Sequence, residues 1–198
     1  MSKTYSLICF LLRLFMKLFW HYKIINKERL KTLDNCIIAS NHISAYDPTF
    51  IGAIIPMEIS YLAKIEIFKN PLFAKFLKHV NVIPIARRRI DRKAIENVMK
   101  KLESGHSVLI FPEGTRKSYK AKPGIGKITI QTQKDILPIF MINSDNFRKC
   151  FLKKDRLKIV IGKKIKIDQL QHFKETKSDY RALADYILEK INELEHEG

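Results

Sequence analysis

A histidine and an aspartate five positions apart, His42 and Asp47, stand in the stretch Asn41-His42-Ile43-Ser44-Ala45-Tyr46-Asp47. A neutral imidazole held by a carboxylate is a general base poised near neutral pH. The carboxylate fixes the tautomer and stabilises the imidazolium formed as a proton is taken. Cys36-Ile37-Ile38-Ala39, just before the pair, is short, apolar and β-prone, and reads as a buried strand ending at Asn41. Pro48, just after it, opens the apolar stretch Thr49 to Ile55, and proline favours the first turn of a helix. The pair thus falls in a strand-to-helix turn, at the open end of a sheet where α/β proteins place their chemistry. Asp47-Pro48 also suits an N-cap and N1 pair, with His42 a satisfied polar residue in the turn. These seven residues alone leave both readings open.

A second polar cluster, Phe111-Pro112-Glu113-Gly114-Thr115-Arg116, emerges from another continuous apolar run, Ser107 to Phe111. Gly114 lets the backbone approach a ligand closely. Arg116 offers a planar fork suited to phosphate, and Glu113 can accept from a hydroxyl or orient a neighbouring cation. Asn-His, four residues, Asp, followed downstream by Phe-Pro-Glu-Gly-Thr-Arg, resembles the first and third motifs of the glycerolipid acyltransferase family. The resemblance runs from about residue 35 to 145 and implies acyl transfer from a thioester donor to the free hydroxyl of 1-acylglycerol 3-phosphate, giving phosphatidic acid. In that reading His42 is the base, Asp47 holds it, and Glu113, Gly114, Thr115 and Arg116 bind the acceptor's glycerol phosphate. The family's second motif ends a strand with a phosphate-binding Arg. Here Val80 to Ile85 reads as that strand, and Arg87, first of the run Arg87-Arg88-Arg89, is the best match. Ile136 to Met141 resembles the fourth motif. No metal or resident cofactor is implied; acyl-CoA or an acyl carrier protein thioester is the co-substrate.

The other elements follow from periodicity. Glu58 to Lys64 reads as a strand, Pro71 to Leu77 as a short helix, and Asp91 to Glu103 as a helix with Ala94, Ile95, Val98 and Leu102 on one face. Leu157 to Gly162 and Lys164 to Ile167 read as closing strands, and a last helix begins at Ser178. Strands alternating with helices predict an α/β fold: a mixed, largely parallel sheet flanked by helices, with an N-terminal membrane-associated helix. Gly124-Ile-Gly-Lys-Ile-Thr lacks the first Gly and the Lys-Ser/Thr step of a P-loop.

Residues 5 to 20 are almost all apolar, but as a helix they run only about 24 Å, short of a ~30 Å hydrocarbon core. Arg13 and Lys17 fall on one face, with Leu7, Leu11, Leu14 and Leu18 along another. The segment reads as a helix lying in the membrane surface, with packing onto the core and a true span as the other possibilities. Residues 1–30 are expected to form that helix and a linker, and 31–198 the acyltransferase domain. The expected place is the inner, cytoplasmic membrane, with the active site on the cytoplasmic side.

Lysine and arginine number 37 against 20 acids, a formal +17, which calls for an anionic partner. A lipid surface, an acidic carrier protein or nucleic acid would each serve. No nucleic-acid-binding motif accompanies the charge, and such a module leaves both motifs unexplained, so no nucleic acid is expected as a partner. Within the acyltransferase reading the rival acceptor is another lysolipid, such as a lyso-ornithine lipid. Three cysteines (Cys9, Cys36, Cys150) without a CxxC pair argue against a disulfide framework or zinc site and fit a reducing environment.

Overall fold

The computed structural model describes residues 3–86 and 91–198. In chain order they form α1 (Lys3–Phe19), β1 (Lys23–Ile25), β2 (Ile37–Ser40), α2 (Asp47–Ile54), β3 (Ile59–Lys64), α3 (Pro71–His79), β4 (Val82–Ile85), α4 (Arg92–Glu103), β5 (Ser107–Ile110), α5 (Gly124–Thr132), β6 (Ile136–Ile142), α6 (Phe147–Phe151), β7 (Lys158–Ile161) and α7 (Lys177–Asn192). The strands make one sheet in the order β1-β7-β6-β2-β5-β3-β4. Five of them run parallel, while β7 pairs antiparallel with β6 and carries β1 parallel beside it. The expected mixed, largely parallel sheet flanked by helices is borne out.

Central strands read as unbroken apolar runs because both their faces are covered. Ile37 and Ala39 of β2 pack into the layer of α4, α5 and α7, while Ile38 packs into the layer of α1 and α2. Val108 and Leu109 of β5 divide in the same way. One close approach in the first layer has no slack. A Cβ added at Gly126 on α5 would lie 2.1 Å from the backbone carbonyl oxygen of Tyr180 on α7. Backbone cannot swing aside as a side chain can, so Gly126→Ala is expected to cost about 2–4 kcal/mol. Urea unfolding checks this; an unchanged midpoint would show that the two helices can part.

The N-terminal segment is helical as expected. Tyr5, Cys9, Met16 and Trp20 are buried against the domain, the Tyr5 and Tyr61 hydroxyls meet at 2.7 Å, and Arg13 donates to the Ala53 carbonyl at 3.0 Å. No helix among the described residues is long and apolar enough to cross a membrane.

Two expectations need correction. Lys164 to Ile167 is not a strand: Ile165 makes one isolated bridge to Ile136, and a 3-10 turn follows at Ile167–Leu170. Asp135 turns the chain there by accepting from the Ile167 N–H at 2.9 Å and pairing with Lys166 at 2.8 Å. The last helix starts at Lys177, one residue earlier than expected, because the Thr176 side chain caps it by accepting from the Asp179 N–H.

Candidate active site

Three parallel neighbours in the sheet, β6, β2 and β5, end at one edge, and polar residues just beyond each converge there. β2 delivers Asn41 and His42, β5 delivers Glu113, and β6 delivers Ser144. Asn41 locks two of these strands together. Its side-chain amide donates to the Met141 carbonyl at 3.0 Å and its oxygen accepts from the Met141 N–H at 2.7 Å. The turn that follows is therefore hung on a fixed strand end.

His42 Nδ1 lies 2.9 Å from Asp47 Oδ2, and both residues are buried, Asp47 completely. The same Oδ2 accepts from the backbone N–H groups of Ile43 and Ser44, each at 2.8 Å. Its partner Oδ1 accepts from the Ser144 hydroxyl. The carboxylate is thus turned back into the turn, and no side-chain hydrogen bond caps α2. The N-cap reading of Asp47-Pro48 falls on this point. A carboxylate oxygen only accepts, so Nδ1 carries the proton and the lone pair sits on Nε2 at the far side of the ring. Phe111 stacks on the imidazole with centroids 4.1 Å apart and planes 17° from parallel, which fixes the ring's plane.

The two motifs are joined through the backbone of His42. Its N–H donates to Glu113 Oε2 at 3.0 Å, and its carbonyl accepts from the Lys117 N–H at 2.8 Å. The Glu113 turn closes on itself by a Gly114 N–H to Phe111 carbonyl bond, with Gly114 at φ +68°, a conformation that glycine adopts without strain. Thr115 and Arg116 project from this turn into solvent. Arg87, the expected phosphate ligand from the second motif, lies outside the described residues.

Glu113 is buried, and that burial pushes its carboxyl up to about 7; the Asp47 charge acts in the same direction, while the His42 N–H opposes it. The unfolded chain releases this proton near 4.5, so the folded protein holds more protons between 4.5 and 7. Stability is lost as pH rises through that window. Glu113→Gln keeps an acceptor for the His42 N–H but no longer titrates. It is therefore expected to gain on the parent at pH 8 relative to pH 5, measured by urea midpoints. A pH-independent difference would contradict the shift.

Ser144 is the residue that motif reading missed. Its signal was positional: it is the first hydroxyl beyond an apolar strand adjacent to the one bearing His42. Ser144→Ala leaves Asp47 Oδ1 without its buried donor. It is expected to cost about 1–2 kcal/mol of stability and to lower kcat, read in the same preparation by unfolding and by turnover.

Comparisons with known proteins give the relatives of this chain and of its fold. The profile of the family described as Acyltransferase matches residues 21–142. The 1-acyl-sn-glycerol-3-phosphate acyltransferase of Bacillus subtilis is 31% identical over 176 residues, covering 88% of this chain and 88% of that one. The enzyme of the same name from Borreliella burgdorferi is 33% identical over 126 residues, 61% of this chain and 50% of its own length. The crystal structure of the 1-acyl-sn-glycerophosphate (LPA) acyltransferase PlsC from Thermotoga maritima superposes with a TM-score of 0.70 at 19% identity, over 98% of this chain and 78% of that one. With both motifs placed at one sheet edge and this match across the middle of the sequence, the chain belongs to the acyltransferase family.

Proposed function

We infer that this protein transfers a fatty acyl group from a thioester to the free hydroxyl of 1-acylglycerol 3-phosphate, forming phosphatidic acid. The observation that carries the reading is the buried His42–Asp47 pair tied through its backbone to the Glu113 turn. His42 Nε2 takes the proton of the acceptor hydroxyl as its oxygen attacks the thioester carbonyl. The carbon–oxygen bond forms, the carbon–sulfur bond breaks, and the imidazolium returns the proton to the departing thiolate. Asp47 provides the countercharge for the imidazolium. Arg116, with Arg87 from the second motif, meets the acceptor's phosphate, and the turn of Glu113, Gly114 and Thr115 receives its glycerol.

The side chains nearby suit a transfer without an acyl-enzyme. The Ser144 hydroxyl is engaged by Asp47. The thiols of Cys9, Cys36 and Cys150 are buried, and burial raises each, Cys36 to about 12, so none is a ready nucleophile.

Residues of α1 support a place at the membrane. Leu7, Phe10, Leu11, Leu14, Phe15 and Leu18 are exposed along its outer side, and the helix carries no acidic residue. Such a helix lies in the headgroup region with its apolar side in the acyl boundary, on the cytoplasmic face, where donor and lysolipid meet.

The test is an assay with the purified protein and acyl-CoA or acyl carrier protein thioesters. 1-Acylglycerol 3-phosphate and a lyso-ornithine lipid are offered as separate acceptors. Phosphatidate formed from the first acceptor alone is expected, and the preferred thioester identifies the donor. Turnover of the lyso-ornithine lipid alone, with Arg116→Ala unimpaired, would overturn the assigned acceptor.

A further inference from the structure

Among the described residues, the large apolar side chains left exposed gather on one face of the sheet; Tyr119, beside α7, stands apart on the other. Tyr46, packed on Phe50 and Trp20 at the start of α2, is one of them, and three elements supply the rest. One is α1, already described. The second is α6, where Phe147, Phe151 and Leu152 are exposed and Phe151 stacks on Phe19 of α1 at 6.0 Å. The third is the segment between β3 and the middle of α3, where Ile65, Ile67, Leu72, Phe73 and Phe76 are exposed, Leu72 by 79%.

Topology places this third element on the same face. The connections β2-α2-β3 and β3-α3-β4 step in the same direction along the sheet. Parallel crossovers share one hand, so α3 lies on the side of α2, which is the side of α1. Along the catalytic edge the strand order is β6-β2-β5-β3. The strands bearing His42 and Glu113 are therefore the middle pair. The strand on one side leads into α6, and the strand on the other leads into Ile65 and α3. The site's edge is bracketed by two exposed apolar elements.

Charge names the occupant. α1, α3 and α6 contain Lys3, Arg13, Lys17, Lys75, Lys78, Arg148 and Lys149 and no carboxylate. The turn before α3 contains Glu66, flanked by Lys64 and Lys69. Across the sheet the signs are mixed: α4 sets Arg92, Lys93, Lys100 and Lys101 against Glu96 and Glu103, and α7 sets Lys177, Arg181 and Lys190 against Asp179, Asp185 and Glu189. Apolar side chains spread over three separate elements, set among cations and reaching both sides of the site, fit an anionic bilayer.

We propose that the segment from Ile65 to Phe76 is a second contact with an anionic lipid surface, opposite α1 and α6 across the mouth of the active site. This rests on the reading of α1 as a membrane-surface helix. It deepens that reading, because two contacts fix the protein's tilt. The His42–Glu113 edge then faces the headgroups, and a lysolipid reaches the base with its acyl chain still in the bilayer.

The test uses the full chain with an environment-sensitive dye on one introduced thiol, at Leu14→Cys, Phe73→Cys or Glu103→Cys; the native thiols are buried. Each is mixed with vesicles of phosphatidylcholine alone or with phosphatidylglycerol added. Dyes at 14 and 73 are expected to shift to the blue on the phosphatidylglycerol vesicles, and the dye at 103 is not. A companion variant, Leu72→Ser with Phe73→Ser and Phe76→Ser, alters only solvent-facing positions. It is expected to weaken vesicle partitioning about tenfold or more. A shift at 14 with none at 73 overturns the second contact and leaves α1 at the membrane. No shift at either position overturns both readings. Equal shifts on phosphatidylcholine alone overturn the anionic surface as partner, and a shift at 103 overturns the one-face orientation.

Discussion

Replacing His42 with alanine is expected to lower kcat by about 10³-fold, the scale of a lost general base, while the protein stays folded. The backbone bonds from His42 to Glu113 and Lys117 do not depend on the imidazole, so the two motifs stay joined. What disappears is the lone pair on Nε2 and the surface on which Phe111 stacks. KM for the acceptor is expected to change little, since in the proposed reaction the ring acts on the hydroxyl and other residues hold the phosphate. Steady-state kinetics with circular dichroism on the same sample decide it. Loss of activity together with loss of fold would instead make His42 a structural residue. Full activity in a folded variant would remove it from the chemistry.

Asp47 separates structure from charge more sharply, through two variants. Asp47→Ala takes away the acceptor of three N–H donors, on His42, Ile43 and Ser44, at a position without solvent exposure. Stranding buried donors in this way is expected to cost about 3–5 kcal/mol. Asp47→Asn is milder for a specific reason. The Ile43 and Ser44 N–H groups demand an oxygen at the Oδ2 position, which forces the amide nitrogen toward Ser144, whose hydroxyl can turn to accept. The His42 tautomer is thereby preserved, and only the countercharge for the imidazolium is lost. A stability loss of about 1–2 kcal/mol with a kcat lower by about 10²-fold is expected. An Asn variant as fast as the parent would show that Asp47 orients the ring and does no more.

The His42–Asp47 pair and the Glu113 turn were legible because the strands behind them, β2 and β5, are covered on two faces and so read as continuous apolar runs. Chemistry-bearing residues at the ends of such runs stand out. The local reading stayed ambiguous at Asp47-Pro48, since a helix N-cap and a base-orienting carboxylate use the same residue type. Only the four donors gathered on Asp47 separate the two. Ser144 was hidden because its partner lies on a different strand, and no spacing along the chain reports which strands are neighbours. β1 is three residues long and paired only with β7, too short to show a period. Lys164 to Ile167 alternates as a strand would, but Asp135 diverts it, a long-range contact that local pattern does not encode. The turn from Glu113 to Arg116 was legible as a polar cluster at a strand end, whereas its bond to the His42 backbone needed the fold.

In the proposed reaction the acyl group passes directly to the acceptor, with His42 as base and no acyl-enzyme. The most direct test of this transfer is incubation of the protein with the thioester donor alone, followed by assay of released thiol and by intact-protein mass spectrometry, before and after acceptor is added. Direct attack requires no burst of thiol and no acyl adduct until 1-acylglycerol 3-phosphate arrives, then thiol and phosphatidate in equal amounts. A stoichiometric burst with an acyl group on a side chain, discharged when acceptor is added, would contradict it.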